Sequence, residues 1–160
     1  MADKRQDLLD RIWTSQDTAY DLMLEYDSLP HRYGEHTLYQ AEAQLIALIA
    51  LHPDITITDI ANILRKTPSA CSQIVRKLRA KGWVVQIRNE SNNRVLNLRM
   101  TAEGEKVFRA HDQFVTECKK MTFEKLANFT DAELLLYLNV QKKINEAYQE
   151  DVRRSRESFQ

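Results

Sequence analysis

The sequence has 160 residues, of which 43% are hydrophobic and 29% charged, a balance typical of one globular domain. Because it contains only three glycines and three prolines, few positions favour turns, and the composition predicts a mainly helical protein. The longest apolar run, residues 45–51, is far shorter than a membrane span, and residues 1–7 lead into no apolar signal segment. We therefore expect a cytoplasmic protein that does not interact with membranes. Its two cysteines predict reduced thiols rather than a disulfide framework.

Positive charge is concentrated in one segment, although the formal net charge of the chain is zero. Residues 65–99 contain nine lysines and arginines and one acid, Glu90, so this segment carries a charge of +8 and the rest of the chain −8. Such asymmetry indicates a surface that binds a polyanion, on an acidic scaffold that disfavours binding elsewhere. A solvated basic face without a partner is the alternative that charge alone leaves open.

A long first helix is predicted from about Asp3 to Ser28, because Pro30 ends its apolar pattern. A linker at residues 31–34 leads to a second helix, from about Gln40 to His52. The apolar stripes of these two helices are Leu9, Ile12, Trp13, Ala19, Tyr20 and Met23, and Ala41, Leu45, Leu48 and Ile49.

Two short amphipathic helices follow, with a tight turn between them. Thr56 is the predicted N-cap of the first, with Asp59 in a variant capping box. Thr67 followed by Pro68 begins the second helix, which Lys81-Gly82 ends. Their apolar faces are Ile57, Ile60, Ala61 and Leu64, and Cys71, Ile74, Val75 and Leu78.

A β-hairpin is predicted next, because the hydrophobic period changes after Gly82. Residues 83–87 favour a strand, residues 89–93 are polar, and residues 95–100 alternate in polarity. Two further helices are predicted to begin at Thr101 and Thr130, the second with a full capping box.

This order of elements predicts a winged helix-turn-helix, in which the second helix of the pair, the recognition helix, enters the major groove of duplex DNA and the hairpin reaches the flanking backbone. The exposed face of the recognition helix begins with short neutral side chains and continues with Gln73, Arg76 and Lys77, which can contact base edges or phosphates. Backbone N–H groups near Ser69 and Ala70 could donate to a phosphate. The predicted fold class is mostly α with a small antiparallel β-hairpin.

Four segments occur in a characteristic order: LYQAEAQL (38–45), ITDIA (57–61), SQIVRKLRAKGWV (72–84) and NNRVLNLRMTAEG (92–104). In order and spacing they resemble the MarR family of bacterial regulators. The resemblance implies a transcription regulator, and specifically a ligand-responsive repressor, that binds a pseudo-palindromic operator as a homodimer. It also implies that the first and last helices interlock with those of a second subunit, and that a small molecule, often an aromatic acid, binds between the dimer region and the DNA-binding lobe.

The sequence departs from the family pattern in three places. Asn92-Asn93-Arg94 stands where the family has Asp-x-Arg, so the arginine that resembles the minor-groove contact is present and its orienting carboxylate is an amide. Arg65-Lys66 replaces a glycine and an apolar residue in the turn, and Pro68 replaces a polar residue at the start of the recognition helix. We therefore expect a base preference different from that of relatives.

We expect a single domain over residues 1–160, with an N-terminal dimerisation helix and linker (1–37), a DNA-binding lobe (38–100) and C-terminal dimerisation helices (101–160). The candidate DNA-binding residues are Thr67, Ser69, Ala70, Ser72, Gln73, Arg76, Lys77, Asn92, Asn93 and Arg94.

Metal or redox sensing by the same fold is an alternative. The four histidines, His31, His36, His52 and His111, lack the close spacing of a zinc motif. Cys71 and Cys118 lie on apolar stripes, which favours packing over reactivity. We expect His111 to be a satisfied core or interface histidine, with a role in an effector pocket as the alternative. Core or dimer contacts are expected for the aromatic residues Trp13, Tyr20, Tyr26, Tyr33 and Tyr39.

The sequence contains no nucleophile elbow, glycine-rich phosphate loop or metal-binding histidine pair, so we expect neither catalysis nor a cofactor. The main rival from another class is a winged helix that binds protein, which would need a neutral or acidic recognition face rather than one framed by Arg76, Lys77 and Arg94. An RNA-binding domain would need exposed aromatic side chains on the strands for base stacking, and these are missing from the predicted strands.

Overall fold

The structure is a computed structural model that describes residues 2–158. Six helices and four short strands follow one another as α1 (Ala2–Ser28), β1 (Pro30–Tyr33), β2 (His36–Tyr39), α2 (Gln40–Leu51), α3 (Ile57–Leu64), α4 (Pro68–Ala80), β3 (Val84–Arg88), β4 (Leu96–Met100), α5 (Ala102–Leu126) and α6 (Asp131–Glu157). The predicted fold class, mostly α with a small antiparallel hairpin, is confirmed. Proximity of Cα atoms divides the chain into two compact units, Met1–Val115 and Thr116–Gln160.

A second hairpin, β1–β2, lies where the sequence was interpreted as a linker. The strands are antiparallel, and Tyr33 pairs with His36 across the two-residue loop Gly34-Glu35. Gly34 has a φ of 62°, a left-handed conformation that glycine adopts without steric cost. A glycine at the first position of a two-residue loop is a hairpin signal that the sequence interpretation missed.

The helix-turn-helix consists of α3 and α4, and both predicted N-caps are confirmed. Thr56 Oγ1 accepts a hydrogen bond from Asp59 N (3.2 Å), and Asp59 Oδ2 accepts one from Thr56 N (3.0 Å). Thr67 Oγ1 accepts from Ala70 N (3.2 Å), and Pro68 occupies the first turn of α4. Between the helices Arg65 has a φ of 52°, so the tight turn is made by a non-glycine residue in the left-handed region.

The wing is the antiparallel pair β3–β4, in which Val84 pairs with Met100 and Arg88 with Leu96. Leu98 N donates to Ile55 O (2.8 Å), which attaches β4 to the segment before α3. This hydrogen bond holds the hairpin against the helix-turn-helix and leaves the tip of the wing, residues 89–95, outside the contact.

The core of the first unit combines residues from α2, α3, α4, the wing and the start of α5. Fully or nearly fully buried apolar side chains include Leu45, Ile46, Ile49, Ile60, Ala61, Cys71, Val75, Leu78, Trp83, Val84, Leu98 and Val107. The predicted packing of Cys71 is confirmed, since its side chain is buried. The amphipathic stripes of α3 and α4 therefore face one shared core, which fixes the orientation of the opposite face of α4.

The second unit contains the C-terminal part of α5 and the whole of α6. No residue of α6 is buried within the described part of the chain. Helix α6 begins with the predicted capping box, in which Thr130 Oγ1 accepts from Glu133 N (3.3 Å) and Glu133 Oε2 accepts from Thr130 N (2.8 Å). Among residues 2–158, no helix combines the length and the apolarity needed to cross a membrane.

Candidate nucleic-acid interface

The exposed face of α4 carries most of the candidate DNA-binding residues. Burial of Cys71, Val75 and Leu78 turns the opposite side of the helix outward. Thr67, Ser69, Gln73, Arg76 and Lys77 are exposed there, whereas Ala70 and Ser72 are half-buried. The structure thus places seven of the predicted residues along one helix and its N-cap.

The first turn of α4 offers fewer free backbone donors than the sequence indicated. The N–H of Ala70 donates to Thr67 Oγ1 (3.2 Å), and the N–H of Cys71 donates to Thr67 O (3.2 Å). The prediction that the N–H of Ala70 is free to donate to a phosphate is therefore wrong, because the N-cap residue Thr67 accepts its hydrogen bond. The Ser69 N–H is the remaining candidate donor of the two.

The tip of the wing is shaped by two asparagine side chains. Asn89 Oδ1 accepts hydrogen bonds from Ser91 N (3.0 Å), Ser91 Oγ (2.7 Å) and Asn92 N (3.0 Å). Asn92 Oδ1 accepts from Arg94 N (3.1 Å), so its amide supports the backbone of Arg94 rather than its guanidinium. Asn92, Asn93 and Arg94 are exposed, and the Arg94 guanidinium extends from a turn that Asx hydrogen bonds hold in place.

The basic side chains on the two surfaces are not neutralised. Elsewhere in the lobe Lys81 pairs with Glu42 (3.1 Å) and Arg99 with Asp54 (2.8 Å). By contrast, no carboxylate among the described residues forms a salt bridge with Arg76, Lys77 or Arg94. Unpaired guanidinium and ammonium groups in exposed positions are suited to bind phosphate or the acceptor atoms of guanine.

An ion pair between the buried Glu42 and the exposed Lys81, which the sequence interpretation missed, holds the C-terminal end of the recognition helix. Glu42 is 7% exposed, and its carboxylate accepts from Lys81 Nζ and from Tyr39 N, both at 3.1 Å. The Lys81 ammonium lies 4.6 Å from the centre of the Trp83 ring. These contacts join the start of α2 to the end of α4. The hydrogen bond from Tyr39 N to Glu42 is local in sequence, but Tyr39 is not a capping residue type and Lys81 is too distant in sequence for its pairing to be inferred.

His111 is half-buried in an aromatic cluster of the first unit. Its ring meets Tyr33 edge to face at a centroid distance of 5.2 Å, and Tyr33 in turn contacts Phe114 at 5.1 Å. Burial lowers the pKa of His111 below 6.5, and the charge of Asp112 opposes part of that effect. His111 Nδ1 is buried and has no hydrogen-bond partner among residues 2–158, so its role as a satisfied core or interface histidine stays a prediction.

The other predicted aromatic contacts divide into two groups. Tyr33 is 1% exposed and belongs to the core. Tyr26 stacks on His31 at 4.0 Å, whereas Trp13, Tyr20 and Tyr39 are each more than half exposed. No group of three or more histidine, cysteine or acidic side chains that could hold a metal ion occurs among residues 2–158.

Comparison with known proteins identifies the same segment of the chain. The model of the MarR family matches residues 37–94, which span α2 to the tip of the wing. The chain is 25% identical over 108 residues to the HTH-type transcriptional regulator YpoP of Bacillus subtilis, covering 68% of this chain and 74% of YpoP. It is 26% identical over 111 residues to the HTH-type transcriptional repressor MdtR of the same organism, covering 68% and 70% of the two chains.

Solved structures extend the similarity in fold over most of the chain. FabT of Streptococcus pneumoniae, crystallised in complex with DNA, superposes with a TM-score of 0.67 at 23% identity over 88% of this chain and 95% of FabT. ZitR of Lactococcus lactis, a zinc-responsive family member, superposes with a TM-score of 0.75 at 17% identity over 88% of this chain and 99% of ZitR. At these identities the structural matches establish the fold.

Proposed function

We propose that the chain is a winged-helix transcription regulator of the MarR family, whose model matches residues 37–94, and that it represses transcription by binding a pseudo-palindromic operator as a homodimer. The observation that carries the proposal is the set of unpaired basic groups, Arg76, Lys77 and Arg94, on the exposed face of α4 and at the tip of the wing. The complex of FabT with DNA and the repressor MdtR support DNA as the partner and repression as the outcome. A regulator of this kind works on bacterial DNA in the cytoplasm.

In this proposal α4 reads base edges in the major groove, and the wing contacts the flanking backbone or minor groove. Gln73 supplies a bidentate amide for adenine, and Arg76 and Lys77 supply donors for guanine or phosphate. The division of residues 1–160 into a lobe at 38–100 and dimerisation segments at 1–37 and 101–160 belongs to the same proposal. The ends of that range, residues 1, 159 and 160, lie outside the described residues.

A small aromatic acid is the proposed effector, on the basis of the family resemblance. One observation favours a place for it: the cluster around Tyr33 and Phe114 contains the buried Nδ1 of His111, which lacks a partner. A ligand carboxyl or hydroxyl group could pair with this nitrogen. Thermal shifts with a panel of aromatic carboxylates, on wild-type protein and His111→Phe, test the idea, and equal shifts in both proteins would remove His111 from the site.

The binding of duplex DNA is tested by fluorescence anisotropy with a labelled random-sequence duplex between about 50 and 200 mM salt. We expect wild-type protein to bind with a steep salt dependence. The double variant Arg76→Gln/Lys77→Gln should bind much more weakly and with a flatter slope. The matched control is Lys119→Gln/Lys120→Gln, which removes the same charge from exposed positions of α5.

Two outcomes would overturn the proposal. If wild-type protein fails to bind DNA at low salt, the lobe is better explained as a protein-interaction module. If the α4 variant and the α5 control lose affinity equally, the affinity for DNA depends on the overall charge of the protein and not on the exposed face of α4.

A further inference from the structure

A cleft between the recognition helix and the wing lies beside the surface described above. It has a volume of about 490 Å³ and is lined by Arg76, Arg79, Ala80, Val84, Val85 and Gln86. We call it the α4–β3 cleft. Its lining contains two arginines and no acid, and Arg76 belongs both to the cleft and to the exposed face of α4. The cleft therefore continues the basic surface of α4 toward the base of the wing.

Arg79 is held in this cleft by a neutral partner. Its Nη1 donates to Gln86 Oε1 at 2.6 Å, which joins α4 to β3. No salt bridge to Arg79 or Arg76 occurs in the part of the chain that the structure describes. Because an amide accepts the hydrogen bond, the guanidinium is oriented while keeping its full charge and most of its donors.

The polar groups of the cleft match an oxyanion. With Oε1 occupied by Arg79, the Gln86 amide has its NH₂ group left to donate, and both guanidinium groups are donors without acceptor capacity. A phosphate group can accept a bidentate pair of hydrogen bonds from arginine, whereas a ligand ammonium group would meet two arginines and no acid in this lining.

We propose that the α4–β3 cleft is a binding site for a DNA backbone phosphate, in which Arg79 makes the contact and Gln86 is the positioning residue. The inference rests on the proposed function, since it adds a phosphodiester contact between those of the recognition helix and the wing. If α4 enters the major groove and the wing reaches the flanking backbone, the strand between them would run beside the cleft that Arg76 and Arg79 line. A contact here anchors the register of the lobe on DNA without reading bases.

The test compares wild type, Arg79→Gln, Arg79→Lys and Gln86→Ala on a random-sequence duplex. Each neutralised phosphate contributes about −0.9 to the slope of log K against log salt, so Arg79→Gln in both subunits should flatten the slope by up to about 2. Between about 50 and 200 mM salt, the affinity of this variant should then fall about tenfold less than that of wild type. Arg79→Lys keeps the charge and should retain most of the slope.

Gln86→Ala tests whether Gln86 positions Arg79, because this substitution leaves the charge of the cleft unchanged. We expect it to weaken binding several-fold, and the double variant Arg79→Gln/Gln86→Ala to be no weaker than Arg79→Gln alone, because both changes remove one contact. Arg109→Gln is the matched control, because it removes one arginine from an exposed salt bridge on α5 and should leave the slope unchanged. Thermal unfolding of each variant checks the fold.

The arms of the experiment distinguish the failure of this inference from that of the proposed function. Wild-type protein that does not bind duplex DNA overturns both. If wild type binds and Arg79→Gln has the same salt slope, only the cleft contact is overturned. A lowered melting temperature of Arg79→Gln would then mean that the Arg79–Gln86 hydrogen bond stabilises the packing of α4 against β3. If inorganic phosphate alone shifts the NMR signal of Arg79 Nε while the slopes stay equal, the cleft takes free phosphate and not DNA.

Discussion

Gln73 is an exposed amide in the middle of the recognition helix, where a side chain can meet the edge of a base. Bidentate pairing of an amide with adenine discriminates against other bases by about 1–3 kcal/mol. We expect Gln73→Ala to cost that amount on the true operator and almost nothing on random DNA, with an unchanged salt slope. Competition binding with operator and random duplexes measures the difference. Equal losses on both would mean that Gln73 does not read sequence.

Arg94 occupies a different part of the interface, at the end of the wing tip. Its guanidinium can enter a narrow minor groove or meet phosphate, so Arg94→Ala should weaken binding to operator and random DNA alike. In a dimer the salt slope should flatten by up to about 2. Since Asn92 binds the Arg94 backbone and leaves its guanidinium free to move, we expect a change below this limit. Unchanged affinity and slope would remove the wing from the DNA interface.

His111 predicts a dependence of stability on pH. Burial lowers the pKa of its ring in the folded state below 6.5, so the unfolded chain takes up the proton first as pH falls. The contribution of neutral His111 to stability is complete above about pH 6.5 and is lost as pH falls through the folded pKa. His111→Phe keeps an aromatic ring and removes the titration. Between about pH 7.5 and 5, the melting temperature of wild type should fall relative to that of His111→Phe, and a constant difference between the two proteins would contradict the prediction.

The residues that the sequence predicted well are those whose partners are close in the chain. Thr56, Thr67 and Thr130 each cap a helix through hydrogen bonds to residues three positions away, a local pattern that sequence displays directly. The pairs Glu42–Lys81 and Arg79–Gln86 were not predicted. Their geometry depends on how α4 packs against α2 and β3, and periodicity contains no information on that packing.

At the scale of elements, helices were predicted more completely than strands. The α3–α4 pair and the wing follow from caps and from the change of hydrophobic period. The β1–β2 hairpin was missed because each strand has only four residues, too few for an alternating pattern to stand out. Its single clear signal was Gly34 in a two-residue loop.

The junction between the wing and α5 depends on Gly104. A Cβ atom at this position would lie 2.0 Å from the carbonyl oxygen of Trp83, which also accepts from Thr101 N (3.0 Å). Since backbone must move to relieve the clash, we expect Gly104→Ala to lower the free energy of unfolding by about 1–3 kcal/mol. Denaturant unfolding measures the loss.

Gly82 provides the matched comparison for that substitution. Its φ is 74°, but no heavy atom of the described residues lies within 4 Å of the place a methyl group would take, so Gly82→Ala introduces backbone strain alone. Strain of this kind costs about 1–2 kcal/mol. If Gly104→Ala were as stable as wild type, close packing of α5 against Trp83 would not be required for the fold.

At the scale of the whole molecule, the long helices carry apolar side chains that the chain itself leaves exposed. On α6, Leu135, Leu136, Tyr137 and Leu138 are consecutive and each at least 60% exposed. Four consecutive residues point to all sides of a helix, so no single face could bury them. On α1, Leu22 and Met23 are 61% and 68% exposed. Exposure on this scale is typical of helices that are covered by another subunit.

We therefore expect light scattering to give a mass of twice 18.7 kDa at micromolar concentration. Leu135→Lys places a charge among the exposed apolar residues of α6 and should shift the protein toward monomer, whereas Gln149→Lys, an exposed polar position on the same helix, should not.

A two-fold axis sets two recognition helices about one turn of DNA apart, on the order of 10 base pairs. A monomeric Leu135→Lys protein that keeps its fold should thus retain about half of the wild-type salt slope on random DNA, because each lobe still contacts its own phosphates. Wild-type protein that is monomeric, or a monomeric variant with the full slope, would contradict DNA binding by paired lobes.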